Sequence, residues 1–265
     1  MLVPISNRSG QSIKRVGAMF AKTFRYIRWF APLSFKLKRY EIARRIFPSA
    51  KRQYELDSMV GPWGYWEELR HYQITALKTF GMMPHHRLLD IGCGPLQGGI
   101  AFIRYLDAVK YTGIDISQKS LDAGLQLIEE AGLSSKEPVL LRSDSFGKNE
   151  LTERNFDYIW CSQMLYHLDE GLLEKLMAQV AKFLAPDGRF YGDIIGYPNE
   201  VTESSSWNGF PFYMHTAESV EKIARRSGLT VRNLGQISSY GYPSEVILGT
   251  NNILELAHEQ PLPRQ

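Results

Sequence analysis

The sequence predicts an α/β fold: a mostly parallel sheet with helices on both faces, preceded by a helical N-terminal extension. Three observations carry this. From residue 87 onwards, short apolar runs alternate with stretches of helical period, the pattern of a parallel sheet with crossover helices. The first of those runs, Arg87-Leu88-Leu89-Asp90-Ile91-Gly92-Cys93-Gly94-Pro95, passes from a buried strand into a carboxylate and two closely spaced glycines. Charge is also divided along the chain. Residues 1–52 hold 13 Lys/Arg and one acid, Glu41, a local charge of +12 that leaves −9 for the rest of a chain whose net charge is +3.

Residues 1–12 are polar, with Gly and Ser. In 13–31, Val16, Phe20, Phe24, Ile27 and Ala31 recur at spacings of three and four, with Lys22, Arg25 and Arg28 on the other side. That is a basic amphipathic helix, ended by Pro32. A second basic segment, 36–45, closes at Pro48. The apolar stripe and the cationic excess of 13–52 fit an anionic membrane surface; they fit packing of the stripe on the folded core equally well. Gly61-Pro62-Trp63-Gly64 is a turn, and 65–80 reads as a helix with Trp66, Leu69, Tyr72 or Gln73, Leu77 and Phe80 on one face and Gly81 past its end. Trp63, Tyr65 and Trp66 offer either an aromatic wall attractive to cations or ordinary helix packing.

The alternating region gives strands at 87–91, 111–115, 139–142, 156–161 and 189–195. A helix over 98–106 follows the first strand. Ser117 caps a helix carrying Leu121, Leu125 and Ile128 that ends at Gly132, and Asp169 caps one carrying Leu172, Leu173, Leu176, Val180 and Leu184. Pro186-Asp187-Gly188 reads as a turn before the fifth strand. The stretch 196–215 has no period and holds Trp207, Phe210, Phe212 and Tyr213; a loop of that length in a compact domain is usually functional. Thr216 caps a helix to Arg226, ended by Gly228, and strands are expected at 231–237 and 245–249. The domains follow: a basic extension 1–60, the α/β domain 61–250, and a polar tail 251–265.

The chemistry gathers at the strand ends. Gly92 and Gly94 let the backbone turn sharply and a ligand lie against it, with Asp90 beside the crevice. A dinucleotide site would have a third glycine, but Gln97 holds that place. A carboxylate there repels phosphate and attracts a cation. Asp115, 21 residues after Gly94, can accept two hydrogen bonds from a ribose diol or can cap the next helix. Asp144 and Ser145 follow the third strand, where a Ser-Asp-Ser turn is the alternative. After the fourth strand comes Cys161-Ser162-Gln163-Met164-Leu165-Tyr166-His167-Leu168. His167 is a candidate base at neutral pH or a hydrogen-bonded structural residue; Asp193 and His215 are further candidates.

Leu88 to Gly94, with this spacing, resembles the first motif of the class I S-adenosylmethionine-dependent methyltransferases, and the similarity runs to about Thr250. The resemblance implies a seven-stranded Rossmann-like sheet with a reversed hairpin edge. It also implies S-adenosyl-L-methionine as cofactor, which carries an ammonium and a sulfonium but no phosphate. Its binding would fall to Asp90, Gly92, Cys93, Gly94 and Asp115, with Ile116 beside the adenine, Asp144 and Ser145 on the adenine edge, and Ser162 and Gln163 at the methionine part. The helix over 65–80 would cover it. The reaction would be methyl transfer, needing neither a metal nor a covalent enzyme intermediate. The runs 94–99 and 111–117 resemble methyltransferases of surface-polysaccharide and secondary-metabolite pathways, which makes a sugar hydroxyl the first acceptor class and a small metabolite or lipid-linked molecule the second.

Two alternatives stand beside this reading: a non-catalytic S-adenosylmethionine-binding scaffold, and a dehydrogenase. Nucleic acid is not the expected partner, because the domain is acidic and has no RNA-binding module. Cys93 and Cys161 read as free thiols of a reducing compartment, and no Cys/His cluster suggests zinc. There is no run of 18 apolar residues, and Lys22, Arg25 and Arg28 interrupt any signal-peptide core. The expected location is the cytoplasm, with peripheral attachment to membrane through 13–52.

Overall fold

The computed structural model describes residues 48–152, 154–196, 206–207, 210–247 and 250–259. The amphipathic segment 13–31, the basic segment 36–45 and their membrane docking lie outside the described residues. The chain divides into two units, Met1–Glu55 and Leu56–Gln265. The described part of the first is the opening of helix α1 (Pro48–Val60). Pro48 suits that place, since a first-turn residue needs no N–H donor and proline's φ is already helical. Among the described residues, no helix is long and apolar enough to cross a membrane.

The second unit is built on a sheet of seven strands: β1 (Leu88–Ile91), β2 (Tyr111–Asp115), β3 (Val139–Arg142), β4 (Phe156–Cys161), β5 (Leu184–Gly196), β8 (Leu229–Gln236) and β9 (Thr250–His258). A separate antiparallel pair, β6 (Ser206–Trp207) and β7 (Phe210–Pro211), lies within the stretch expected as a loop. The spatial order is β3-β2-β1-β4-β5-β9-β8. The first five are parallel, and β9 runs antiparallel to both β5 and β8. This is the Rossmann-like sheet with a reversed edge. Strand order reverses between β1 and β4, so the crevice at their carboxyl ends is where such sheets take ligands.

The helices are α2 (Trp66–Thr79), α3 (Gly99–Tyr105), α4 (Gln118–Glu130), α5 (Glu170–Phe183) and α6 (Ala217–Arg225). Side chains alternate across a strand, and this sorts the core into two layers. Leu89, Ile91, Ile114, Ile159, Cys161, Phe190 and Ile194 join Leu173, Leu176, Val180 and Ile223 of α5 and α6 in one buried cluster. Trp160, on the opposite face, meets Tyr72 of α2 and Phe102 of α3. By the same alternation, Asp90, Asp115 and Asp193 all sit on the α2 face.

The expected caps form. Ser117 Oγ accepts from Ser120 N at 3.2 Å and Asp169 Oδ1 from Leu172 N at 2.8 Å. Thr216 and Ser219 cap one another reciprocally, with Ser219 in the place more often held by Glu. Leu125 and Leu172, expected on buried faces, are 47% and 37% exposed.

Three expectations are corrected. Leu184, taken as helical, opens β5, and Pro186-Asp187-Gly188 is an irregularity inside that strand. Pairing passes from Phe156↔Leu184 to Tyr158↔Arg189, and a Cβ on Gly188 would lie 2.7 Å from Phe156 O. The strand expected over 245–249 does not form over its described residues; residues 244–246 form a 3₁₀ turn. The polar tail 251–265 is overturned over 251–258, which is β9, with Ile253, Leu254 and Leu256 buried between β5 and β8. Thr250, Asn251, Asn252 and Glu255 dilute its apolar pattern, so its partners rather than its own sequence define it as a strand.

Candidate functional site

The turn after β1 is fixed from β2. Gly92 N and Cys93 N both donate to Ile114 O, at 2.8 and 3.1 Å. Gly92 has φ +74° and Gly94 φ +52°, a region that favours glycine. The turn also has close neighbours: a Cβ on Gly92 would sit 2.7 Å from Met164 Sδ, and one on Gly94 3.0 Å from Val60 Cγ1. Glycine there lets the loop after β4 and the end of α1 close over the turn. Cys93 is buried, with its thiol pushed well up chiefly by desolvation.

Asp115 does two backbone jobs. Its Oδ2 accepts from Gly94 N and its Oδ1 from Ser117 N, both at 2.8 Å, so it ties the glycine turn to the start of α4. A carboxylate has about four acceptor positions, and two remain for a diol. Burial raises its pKa, opposed by the amides of Ser117, Gly94 and Ile116. Ile116 beside it is 55% exposed, an apolar surface at the crevice edge. Asp90 is 4% exposed and accepts from Tyr111 Oη at 2.7 Å. Burial pushes its carboxyl up to about 7, against the hydrogen bond from Tyr111.

After β3 the turn is organised by Ser143, not Asp144. Ser143 Oγ accepts from Ser145 N (3.2 Å) and Gly147 N (2.8 Å) and donates to Glu150 Oε2 (2.7 Å). Asp144 is left exposed beside the crevice, with Ser145 half-buried.

The loop after β4 meets Asp193 of β5. Gln163 N donates to Asp193 Oδ1 at 2.6 Å and Gln163 Nε2 to Oδ2 at 2.5 Å. Gln163 Oε1 in turn accepts from Tyr166 Oη (2.9 Å) and Tyr242 Oη (3.0 Å). Tyr72 sets its ring against that of Tyr242, centroids 5.1 Å apart and nearly perpendicular. Ser162 Oγ and Tyr72 Oη are buried beside Asp193 without a hydrogen bond of good geometry. Asp193 is 1% exposed, and burial pushes its carboxyl up to about 7 against the hydrogen bonds of Gln163 and the nearness of the Ser162 hydroxyl.

His167 belongs to a different group. It ends a 3₁₀ turn, its ring stacks on Phe212 (5.0 Å, 28°), and its Nδ1 is 3.1 Å from Pro211 O. A carbonyl only accepts, so Nδ1 carries the proton and Nε2 is the basic nitrogen. Burial lowers its pKa, opposed by the Pro211 carbonyl. His215 is 5% exposed and bound through Nε2 to Leu168 O at 2.8 Å, a structural tie. Tyr65 and Trp66 are both buried, and the Arg70 guanidinium lies over the Trp66 ring.

The site therefore has two halves: Asp90, Gly92, Cys93, Gly94, Asp115 and Ile116 around the glycine turn, and Ser162, Gln163 and Asp193 with three tyrosines beyond β4. Sequence reading missed Tyr72, Tyr166 and Tyr242 as site residues. Only tertiary contact brings them to one carboxylate, and no sequence signal separates them from core tyrosines. Among the described residues, Asp90, Asp115 and Asp193 have no cationic partner, and no cluster of His, Cys, Asp and Glu could hold a metal. A buried face carrying three carboxylates and no cation fits a positively charged ligand.

Comparison with known proteins agrees with this chemistry. Residues 89–190 match the model of a methyltransferase domain family. An uncharacterized methyltransferase of Bacillus subtilis is 27% identical over 114 residues, 43% of this chain and 42% of its own length. Geranyl diphosphate 2-C-methyltransferase of Saccharopolyspora erythraea is 26% identical over 136 residues, 47% of this chain and 44% of its own. The chain thus spans less than half the length of these curated relatives. Among solved structures, magnesium protoporphyrin IX methyltransferase of Synechocystis with bound S-adenosylmethionine superposes with TM-score 0.55 at 18% identity, covering 83% of this chain and 96% of that one. A Clostridium acetobutylicum S-adenosylmethionine-dependent methyltransferase superposes with TM-score 0.55 at 15% identity, covering 73% and 92%. At these identities the structural likeness is one of fold.

Proposed function

We propose that this chain, which carries a class I S-adenosylmethionine-dependent methyltransferase domain, is an enzyme that methylates a hydroxyl of a small-molecule or glycan-related acceptor. The observation that carries the cofactor is the set Asp90, Asp115 and Asp193 on one face of the sheet, beside a glycine turn and without a cationic partner among the described residues. Asp115 would hold the ribose diol with its remaining lone pairs, Ile116 and Asp144 would flank the adenine, and Ser162 and Gln163 would face the methionine part. Bound S-adenosylmethionine supplies an electrophilic methyl group and leaves as a neutral thioether. The protein's contribution is to hold the acceptor in line in a pocket poor in water. His167, kept neutral by burial, is the group offered to take a hydroxyl proton through Nε2.

The hydroxyl rests on the resemblance of residues 94–99 and 111–117 to polysaccharide and secondary-metabolite enzymes. Incubation with candidate sugars, lipid-linked sugars and small alcohols, counting S-adenosylhomocysteine released, tests it. Cofactor binding without release on any acceptor would favour the non-catalytic scaffold, and binding of a nicotinamide cofactor would favour a dehydrogenase. The cationic, apolar composition of 13–52 supports docking on anionic membrane, tested by salt-sensitive co-sedimentation with anionic but not neutral vesicles.

A further inference from the structure

Asp193 is a buried carboxyl of the set above that is matched to no particular part of the cofactor. It lies on β5 and shares the sheet face of Asp90 across β4, and the Cys161 thiol at the end of β4 is pushed up by both carboxylates as well as by its own burial. Around it stand three phenols from three separate segments: Tyr72 from α2, Tyr166 from the turn after β4, and Tyr242 from the segment after β8. Tyr72 is 1% exposed, and its hydroxyl and that of Ser162 are buried without a hydrogen bond of good geometry among the described residues. A buried carboxyl ringed by aromatic groups and hydroxyl oxygens, with no Lys or Arg against it among the described residues, suits a soft, weakly hydrated cation. Met164, next to Gln163, touches Gly92, so the chain that grips Asp193 also touches the glycine turn.

We propose that Asp193, ringed by Tyr72, Tyr166 and Tyr242, is the group by which the site distinguishes the positively charged sulfonium of S-adenosylmethionine from the neutral thioether of S-adenosylhomocysteine. This rests on the cofactor reading above and extends it to the order of events. The charge that Asp193 attracts disappears on methyl transfer, so the product loses an interaction that the donor had. Both molecules carry the amino group that Asp90 can attract, so the change in their affinity ratio between wild type and Asp193→Asn reports on Asp193.

The pH dependence has a definite sign. The titratable groups around Asp193 are Tyr72, Tyr166 and Tyr242 and, from the other sheet face, Cys161, each raised by burial and neutral at pH ~7; the amide of Gln163 and the hydroxyl of Ser162 also meet it, and Asp90, itself pushed up to about 7 by burial, shares its sheet face. Asp193 itself titrates near about 7. It is charged above that pH and neutral below it, so preference for the sulfonium is present at pH ~8 and fades towards pH ~6.

Calorimetric titration of the full chain with S-adenosylmethionine and with S-adenosylhomocysteine, at both pH values, tests this. Wild type is expected to prefer the sulfonium by about tenfold or more at the higher pH, from a charge-assisted contact, and by much less at the lower. Asp193→Asn is expected to bring the ratio close to one while leaving S-adenosylhomocysteine affinity in place. A wild-type ratio that does not change with pH overturns the proposal without needing any variant to fold. So does an Asp193→Asn protein that keeps the ratio, or one that loses both ligands equally. If wild type binds neither molecule, the cofactor reading itself is wrong.

Discussion

The glycine turn and the Asp193 cluster differ in how they are made. Asp115 and the turn are held by amides that are near in space because β1 and β2 are neighbours in a parallel pair. The carboxylate of Asp115 is already gripped by Gly94 and Ser117. The Asp193 cluster draws on α2, the loop after β4, β5 and the segment after β8, and two of its hydroxyls lack partners. A satisfied half is a rigid cradle. A half with unmet hydrogen-bonding capacity stores a preference for whatever completes it.

The largest expected effect lies outside both halves. His167→Ala should lower kcat by about 10²–10⁴ if His167 is the base, with cofactor affinity by calorimetry unchanged. Near-normal turnover would return His167 to a structural role beside Phe212 and leave proton removal to another group. Next, Tyr111→Phe removes the donor to Asp90 and leaves that buried carboxyl unsatisfied, so stability should fall by about 1–3 kcal/mol in urea unfolding. An unchanged midpoint would mean that the glycine half is less tightly built than described.

A third test sets the halves apart by pH. Asp193 has a folded pKa of about 7, above its ordinary carboxylate value, so the folded state holds a proton that the unfolded chain gives up. Its contribution to stability is therefore full below pH ~4 and is lost as pH rises through about 7. Relative to Asp193→Asn, the ligand-free wild type should show a falling Tm over that window, and S-adenosylmethionine should reverse the fall. A difference that is flat with pH would contradict it. The smallest effect is a control in neither half: Thr216→Ala removes one N-cap and should cost about 1 kcal/mol, with no change in ligand affinity.

The same contrast explains what could be read in advance. Strands β1 to β4 and the caps Ser117, Asp169 and Thr216 were legible because each is a local pattern of apolar period, short polar side chain or glycine. The placement of Asp90, Gly92, Gly94 and Asp115 at two strand ends was legible for the same reason. β9 was not, since Thr250-Asn251-Asn252 and Glu255 look like a tail until β5 and β8 flank them. Nor was the role of Ser143, because Asp144 is the more familiar turn former, whereas the hydrogen bonds to Gly147 and Glu150 belong to Ser143. The tyrosines around Asp193 were visible only as members of apolar faces.

The carboxylates beside the glycine turn are expected to bind a cationic nucleoside. Calorimetric titration of wild type, Asp90→Ala and Asp115→Ala with S-adenosylmethionine at pH ~8 tests it most directly. One binding event per chain is expected in wild type, with a loss of about tenfold or more in affinity in each variant, since a charged hydrogen-bond partner is worth ~1.5–3 kcal/mol. Folded variants that both bind with wild-type affinity would contradict it.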